Sequence, residues 1–210
     1  MSQRLQMLQV ARLARRALGD AVDLVASFVR STALAQGGHC DRGGRRDLYY
    51  SSFGADALVA LDAFEPDGDH ARATREWLAG FGSGDGLDLV HRCCLARAWS
   101  SQPAGSLDDA VRCGIAAGFV PHRAADGGYA SRRGAARGTA YGGFLAVNAH
   151  DDLRLSLPDP DRLADSLAGL RAADGGWSNE AGQAEGSTTA TAAAVATLRR
   201  LGRPVPEGVA

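Results

Sequence analysis

Asp88 and His91 lie three positions apart, and this pair is the one in the sequence best suited to proton transfer. On a helix, residues three apart share a face, so the carboxylate and the imidazole can meet. A carboxylate beside an imidazole holds one tautomer and raises the basicity of the ring, which a general acid or base requires. The structural alternative is that Asp88 caps a helix and that His91 is a partly buried histidine with satisfied hydrogen bonds.

The cysteines and the clustered arginines suggest two further kinds of chemistry. Cys93 and Cys94 are adjacent, but His91, two residues before Cys93, points to a different face of the helix from Cys93, which favours small apolar filler over a nucleophile. Two glycine-flanked basic loops, residues 42–46 and 132–137, could receive an anionic head group. The candidate ligands there are Arg45, Arg46, Arg132 and Arg133. The simpler interpretation is that the arginines of both loops are hydrated surface charges that bind no ligand.

Helices must position these residues, because apolar residues recur at three- and four-residue spacing through most of the chain. The pattern predicts helices and no strand, with helices at residues 2–18, 20–35, 47–63, 69–80, 87–99, 107–119, 139–149, 161–172 and 188–201. Asp47, Asp88 and the cluster Ser187-Thr188-Thr189 supply side-chain oxygens where the free amides of a first turn need acceptors. The sequence therefore predicts an all-α protein.

Double-glycine turns separate these helices at nearly regular intervals. Asp126-Gly127-Gly128-Tyr129 returns as Asp174-Gly175-Gly176-Trp177, 48 residues later. A third copy, Gln36-Gly37-Gly38-His39, lies 90 residues before Asp126, and the glycine-rich segment 80–86 fills the gap. A period in this range marks a repeat architecture. We therefore expect four helix-turn-helix units, in which outer helices alternate with inner helices rich in Ala, Gly, Ser and Thr.

Composition limits the functions and partners. The net charge is −1, so no overall basic field exists to hold nucleic acid or an anionic membrane surface. No stretch of about 18 apolar residues could span a bilayer, and the cysteines lack a secreted-scaffold spacing, which favours a reduced, cytoplasmic protein. All 23 residues in the Lys+Arg count are arginine, which is typical of a GC-rich bacterial genome. We expect one domain over residues 1–210, with an N-terminal helix at 1–19 and a tail at 203–210.

The repeat motifs resemble those of a known superfamily. Arg171-Ala172-Ala173-Asp174-Gly175-Gly176-Trp177 resembles the glutamine-tryptophan repeat of squalene and oxidosqualene cyclases, with Arg171 where the glutamine usually stands. Asp47-Leu48-Tyr49-Tyr50-Ser51-Ser52-Phe53 resembles an inner-helix motif of protein prenyltransferase β subunits. The resemblance covers roughly residues 20–202 and implies an α/α toroid, whose inner helices line a funnel. With four helical hairpins, the toroid would be a small or incomplete barrel.

The toroid places the first turns of the inner helices at the mouth of the funnel, and this placement selects the candidate site. Asp47, Asp88 and His91 are the candidate catalytic residues. The candidate substrate-binding residues are Tyr49, Tyr50, Phe53, Tyr141, Phe144 and Thr188, together with the four loop arginines at the polar end of the substrate. The rings would line an apolar funnel and stabilise developing positive charge. Packing between helix layers is the alternative role of each ring.

This sequence contains only part of the catalytic motifs of the two families that it resembles. Prenyltransferases bind zinc through an Asp-x-Cys pair and the His of an Asp-x-Tyr-His motif. Asp47 and His91 match two of these ligand positions, but Tyr49 replaces the thiolate, and zinc needs three or four ligands. His39 or Cys40 could complete the set only after a rearrangement. Class II cyclases protonate an alkene with an Asp-x-Asp-Asp motif, which this sequence lacks.

The sequence thus predicts a metal-independent cyclase or isomerase of a long apolar isoprenoid or polyene, in bacterial specialised metabolism and without a cofactor. A non-catalytic toroid that binds a lipid or a protein helix is the first alternative. A zinc-dependent prenyltransferase is the second. The expected partners are a hydrophobic small molecule and, because four units leave an apolar inner helix uncovered, a second copy in a homodimer.

Overall fold

Helices dominate the computed structural model, which describes residues 2–206. The described residues form α1 (Gln3–Leu18), α2 (Ala21–Ser31), α3 (Leu48–Ala60), α4 (Asp69–Ala79), α5 (Leu89–Ser100), α6 (Asp109–Ala117), α7 (Ala140–Asp152), α8 (Pro160–Ala168) and α9 (Thr188–Arg200). A short 3-10 helix occupies Val120–His122. The all-α prediction is confirmed. Met1 and residues 207–210 of the predicted tail lie outside the described residues.

One helix end shows how the double-glycine turn changes the predicted boundaries. α2 ends at Ser31 rather than at residue 35, because Ala33 forms an antiparallel β-bridge to His39 across the turn. The corresponding bridges in the other two copies are Arg123–Tyr129 and Arg171–Trp177. The prediction of no strand is wrong, since β1 (His39–Cys40) pairs antiparallel with β2 (Arg46–Asp47) beside the first bridge.

The three double-glycine turns share the same hydrogen bonds. In each copy, the first residue of the turn donates its backbone N–H to the carbonyl of the second glycine. The carbonyl of that same first residue accepts the backbone N–H of the first glycine. The bonds measure 2.8–3.1 Å and join Leu34 to Gly38 and Gly37, Ala124 to Gly128 and Gly127, and Ala172 to Gly176 and Gly175. The first glycine has φ of +84°, +93° and +89°, which glycine adopts without a Cβ clash.

The segment 80–86 turns differently from these three copies. Gly84 donates its N–H to the carbonyl of Phe81 (2.8 Å), but within residues 2–206 no β-bridge spans this segment. Three copies therefore share the turn, whereas the degenerate segment 80–86 does not, and the four-unit organisation stays a prediction. The shared turns also differ in the length of the loop that follows. The helix cap Asp47 lies eight positions after His39, whereas Thr139 lies ten positions after Tyr129 and Ser187 ten positions after Trp177.

An aspartate ties each of the last two turns to the loop before the next helix. The Asp126 carboxylate accepts hydrogen bonds from the backbone N–H of Gly128 (2.9 Å), from that of Gly138 (3.1 Å) and from Ser166 Oγ (3.0 Å). The corresponding bonds of Asp174 come from Gly176 (2.9 Å) and Gly186 (3.0 Å). The bonds from Gly186 and Gly176 hold the pKa of Asp174 below its ordinary value.

The helices that follow the turns are buried more completely than the helices that precede them. α7 buries side chains on several faces: Ala140, Gly142, Gly143, Ala146, Val147, Asn148, Ala149 and His150. By contrast, α4 buries a single stripe of residues spaced by three and four, consisting of Ala71, Thr74 and Leu78. α9 also buries a single stripe, from Ala190 to Leu198, so the alternation of inner and outer helices stays a prediction. No helix within residues 2–206 has both the length and the apolar character needed to cross a membrane.

The chain divides into two compact units. The first unit contains the residues up to Leu87 together with Cys94–Ile115, and the second contains Asp88–Cys93 and the residues from Ala116 onward. In the first unit, α1 and α2 both pack against α3. In the second unit, α7 packs against α8 and α9. The single-domain prediction stays a prediction.

His39 occupies the buried ring position of the first turn, where Tyr129 and Trp177 stand in the other copies. Its side chain is enclosed, with the residue only 3% exposed, and its Nδ1 lies 2.9 Å from Thr32 Oγ1. Because that hydroxyl donates to the carbonyl of Val29, it must accept from His39 Nδ1–H. The His70 ring lies 5.3 Å away. Burial and, after it, repulsion from His70 lower the pKa of His39 to about 4.

We expect His39 to make the protein less stable in mild acid. The unfolded side chain takes up a proton near its ordinary pKa of 6.5 and the folded one only near 4, so the unfolded state binds more protons between these values. The free energy of unfolding should therefore fall by on the order of 2 to 3 kcal/mol as the pH drops through this window. Urea unfolding curves measured across the window would test this.

The control is His39→Asn, which keeps an N–H donor near the position of Nδ1. Its unfolding free energy should depend less on pH in the same window. Burial also lowers the pKa of His150, but that contribution is present in both proteins and cancels in the comparison. Equal pH dependence in the two proteins would contradict the assignment to His39.

Candidate functional site

The predicted site residues lie at the first turns of α3, α5, α7 and α9, where side-chain caps begin the helices. Asp47 Oδ1 accepts from the backbone N–H of Tyr50 (3.0 Å), and Asp88 Oδ1 accepts from that of His91 (2.8 Å). The caps of α7 and α9 are Thr139, which bonds Gly142 (2.9 Å), and Ser187, which bonds Ala190 (3.2 Å). Asp47 and Asp88 thus have the capping role that the sequence left open as the alternative to catalysis. The catalytic role of Asp47 stays a prediction.

Asp88 and His91 are brought together in the second unit. His91 Nδ1 lies 2.9 Å from Oδ2 and 3.0 Å from Oδ1 of Asp88. Partial burial acts to raise the pKa of Asp88, but hydrogen bonds from the His91 backbone and ring, together with its charge, leave that pKa below the ordinary value. The ionised carboxylate accepts from Nδ1–H, which holds the ring in one orientation. The side chains of His91 and Asp88 are 40% and 61% exposed, so a ligand can reach the pair.

Three predicted binding rings form one exposed cluster on α3 in the first unit. Tyr49, Tyr50 and Phe53 are 44%, 41% and 47% exposed. The ring of Tyr49 lies 4.7 Å from that of Phe53 and 5.9 Å from that of Tyr50, measured between centroids. Packing between helix layers does not describe these rings, because they stand on the surface. They provide an apolar surface on which a ligand can pack.

The second unit contains the other predicted binding residues. Tyr141 is exposed and Phe144 is half-buried, and their rings are nearly parallel with centroids 6.5 Å apart. The backbone N–H of Tyr141 donates to Asn179 Oδ1 (3.0 Å), which ties the start of α7 to the last loop. Thr188 is the exposed first residue of α9. Tyr129, by contrast, is 2% exposed and belongs to the core.

The two basic loops differ in how their arginines are used. Arg45 binds Asp41 through Nε (3.1 Å) and a terminal nitrogen (3.0 Å). Arg46 donates to the carbonyl of Gln36 (2.7 Å), and its guanidinium lies 4.8 Å from the centre of the Trp77 ring. Arg132 and Arg133 are exposed, and neither bonds another residue of the described chain. An anion at the first loop would have to compete with Asp41, whereas the second loop presents its charge to solvent.

The cysteines and histidines do not assemble into a metal site in the described part of the chain. Cys40, Cys93, Cys94 and Cys113 are free thiols. Cys93 and Cys94 are both buried, and Cys93 Sγ lies 3.5 Å from the carbonyl of Leu145, a placement that fits the filler role. Within residues 2–206, no three His, Cys, Asp or Glu side chains are grouped so that they could hold a metal ion.

One cleft of the first unit contains none of the predicted site residues. It has a volume of about 390 Å³ and lies among the end of α2, the end of α3 and the start of α4. Its lining is mostly apolar, with Arg30 and His70 among the polar residues, and His70 Nδ1 lies 3.3 Å from the carbonyl of Leu34.

The contact between the rings of His39 and His70 was not predicted from the sequence. The sequence indicated only that His39 stands where the other two copies have Tyr129 and Trp177. No motif connects His39 with His70.

Comparisons with known proteins give this chain no relative: no family model matches it, and neither a curated protein nor a solved structure does. The resemblance to toroid enzymes therefore depends on the sequence motifs alone. Any functional proposal must be argued from the arrangement of the side chains.

Proposed function

We propose that this chain is a small α/α-toroid-like protein that binds a long apolar isoprenoid or polyene and cyclises or isomerises it without a metal. One observation carries the proposal: an ionised carboxylate, Asp88, lies 2.9 Å from the imidazole of His91 at an accessible helix end. The toroid and the class of substrate come from the resemblance of the repeat motifs.

One feature of the turns and one feature of the helices support the toroid. The hydrogen bonds of the turn recur in three copies, as a repeat of one hairpin unit requires. In addition, α7, which follows the second turn, is buried on several faces, whereas α8, which precedes the third turn, is buried along the stripe Leu163, Ser166 and Leu167. Inner helices enclosed by an outer layer would show this difference.

The exposed rings support the binding of an apolar chain. Tyr49, Tyr50 and Phe53 in the first unit, and Tyr141 in the second, expose between 41% and 47% of their surface at the starts of buried helices. Covering roughly 100 Å² of ring surface would contribute about 2.5 kcal/mol to binding. Micromolar affinity, about 8 kcal/mol, would take about five or more such contacts once an entropy cost of association of at least about 4 kcal/mol is subtracted.

Asp88 and His91 would act together as the proton carrier. The carboxylate accepts from Nδ1–H and keeps Nε2 as the basic nitrogen. As the imidazolium, which the adjacent negative charge stabilises, the ring would donate the Nε2 proton to a double bond of the substrate. After the resulting cation rearranges or closes a ring, Nε2 takes a proton back from a neighbouring carbon. The ring of Tyr141, in the same unit as the pair, would help to hold the substrate in a reactive conformation, which contributes rate through orientation.

Two substitutions test this role, because they separate capping from proton transfer. Asn caps helices about as well as Asp, so Asp88→Asn should keep the free energy of unfolding unchanged while it removes the charge beside His91. We expect Asp88→Asn and His91→Gln each to reduce turnover by roughly 100-fold or more. The measurement is product formation from squalene, geranylgeraniol and retinol in detergent micelles, followed by mass spectrometry.

The matched control is His70→Gln, which changes a histidine of the first unit that is not part of the pair. Its turnover should equal that of the unchanged protein. Full activity in both His91→Gln and Asp88→Asn would remove these residues from the mechanism.

The second candidate function is non-catalytic binding of a lipid or a protein helix. The observation that favours it is the use of both Asp47 and Asp88 as helix caps, a structural role that needs no reaction. Quenching of tryptophan fluorescence by the same probes, without any product, would support this candidate. The four free thiols fit a reducing compartment for either function.

A further inference from the structure

Large apolar side chains are exposed on the first two helices. In α1, Val10 and Leu13 are 68% and 62% exposed, and in α2, Leu24 and Phe28 are 73% and 70% exposed. Exposed patches of this kind mark interaction sites more often than single exposed residues do. The packing of α1 and α2 within the chain does not require these side chains.

Helical spacing places these residues opposite the side that packs on α3. The buried residues of α1 are Arg4 and Leu8, whereas Val10, Leu13, Ala14 and Ala17 form a stripe at i, i+3, i+4 and i+7 on the exposed side. In α2, the buried residue is Ala26, and Leu24 and Phe28 share the exposed side at i and i+4. Each helix therefore presents an apolar stripe to its surroundings.

Charges of opposite sign flank the two stripes. Arg12 and Arg16 lie in the second half of α1, and Asp20 and Asp23 lie at the start of α2, on the other side of Gly19. All four side chains are exposed, and none forms a hydrogen bond or ion pair with another residue of the described chain. In contrast, Arg15 on the packed side of α1 bonds Asp62 (3.1 Å).

We propose that α1 and α2 form a symmetric dimer interface with a second copy of this chain. A two-fold axis between two copies can place α1 of each against α2 of the other, so that Arg12 and Arg16 meet Asp20 and Asp23 twice. The apolar stripes are then covered in the same step. A second copy matches both charge groups, whereas an anionic bilayer or a partner of one charge would match one group and repel the other. This surface differs from the uncovered inner helix that the sequence suggested for self-association, and it does not depend on the proposed function.

Two charge-reversed variants test the interface. Arg12→Glu with Arg16→Glu makes both groups acidic, and Asp20→Arg with Asp23→Arg makes both basic, so each variant should repel itself. We expect the protein to sediment as a dimer at micromolar concentration, with about twice the 21.8 kDa of one chain, and each variant to dissociate at least about 100-fold more readily. An equimolar mixture of the two variants should restore a dimer, because each acidic helix now faces a basic one.

The matched control is Arg132→Glu with Arg133→Glu, which changes the net charge equally on exposed residues outside this surface and should leave the dimer intact. Circular dichroism spectra of the variants should show the same helix content, because the exchanged side chains form no hydrogen bond or ion pair with other residues of the described chain. The proposal is overturned if the unchanged protein sediments as a monomer at about 100 μM. It also fails if the mixture stays monomeric, or if the protein binds phosphatidylserine vesicles as a monomer through these helices.

Discussion

Replacing Gly142 by alanine is expected to lower the free energy of unfolding by about 3 to 5 kcal/mol. A Cβ at this position in α7 would lie 2.1 Å from the carbonyl oxygen of Tyr129 and 2.7 Å from its carbonyl carbon. These are backbone atoms, and that oxygen also accepts the N–H of Thr139 (2.9 Å). The turn and the start of α7 would have to move apart, because no side-chain rotation relieves the clash.

The neighbouring glycine provides the control for this substitution. A Cβ at Gly143 would lie 2.9 Å from Leu163 Cδ1, the end of a side chain that can shift. Alanine also favours the helix over glycine by about 1 kcal/mol at either position. We therefore expect Gly143→Ala to change stability by less than about 1 kcal/mol in the same urea unfolding experiment. Equal destabilisation by the two substitutions would contradict the close approach of α7 to the second turn.

The second large effect is expected at Asp126, whose carboxylate joins the turn to the loop before α7. Asp126→Ala removes the acceptor of two buried backbone N–H groups, those of Gly128 and Gly138, and of the Ser166 hydroxyl. Buried donors left without an acceptor cost about 1 to 3 kcal/mol each, and part of this cost is relieved by water. We expect the free energy of unfolding to fall by about 3 kcal/mol.

A local measurement separates this mechanism from a general loss of stability. Amide hydrogen exchange at Gly128 and Gly138 should accelerate in Asp126→Ala before global unfolding occurs. The control is Asp165→Ala, since Asp165 is exposed on α8 and its carboxylate makes no hydrogen bond with the described residues. If Asp165→Ala and Asp126→Ala destabilise the protein equally, the carboxylate of Asp126 does not have the role assigned to it.

The sequence predicted those features that depend on residues near one another in the chain. The double-glycine spacing identified three turns that have the same hydrogen bonds, and the residue types identified the caps Asp47 and Asp88. The separation of three between Asp88 and His91 predicted their contact, because helix geometry alone brings such residues together.

Features that depend on distant residues could not be predicted in this way. Arg4 is buried and donates to Asp56 (2.7 Å) and to Ser101 (2.8 Å), although these residues lie 52 and 97 positions away. Nothing in the pattern around Arg4 distinguishes it from the exposed Arg12. The early end of α2 has a more local origin, since the bridge from Ala33 to His39, six positions away, competes with another helical turn.

The loop that follows each double-glycine turn gives the fold a place to accept foreign sequence. Its two ends are fixed by backbone bonds such as that from Ser187 N–H to the Trp177 carbonyl (2.8 Å), while its length differs between copies. Doubling the length of a flexible loop costs only about 0.6 kcal/mol. A peptide tag grafted between residues 180 and 182 would thus be displayed by the scaffold with little loss of stability.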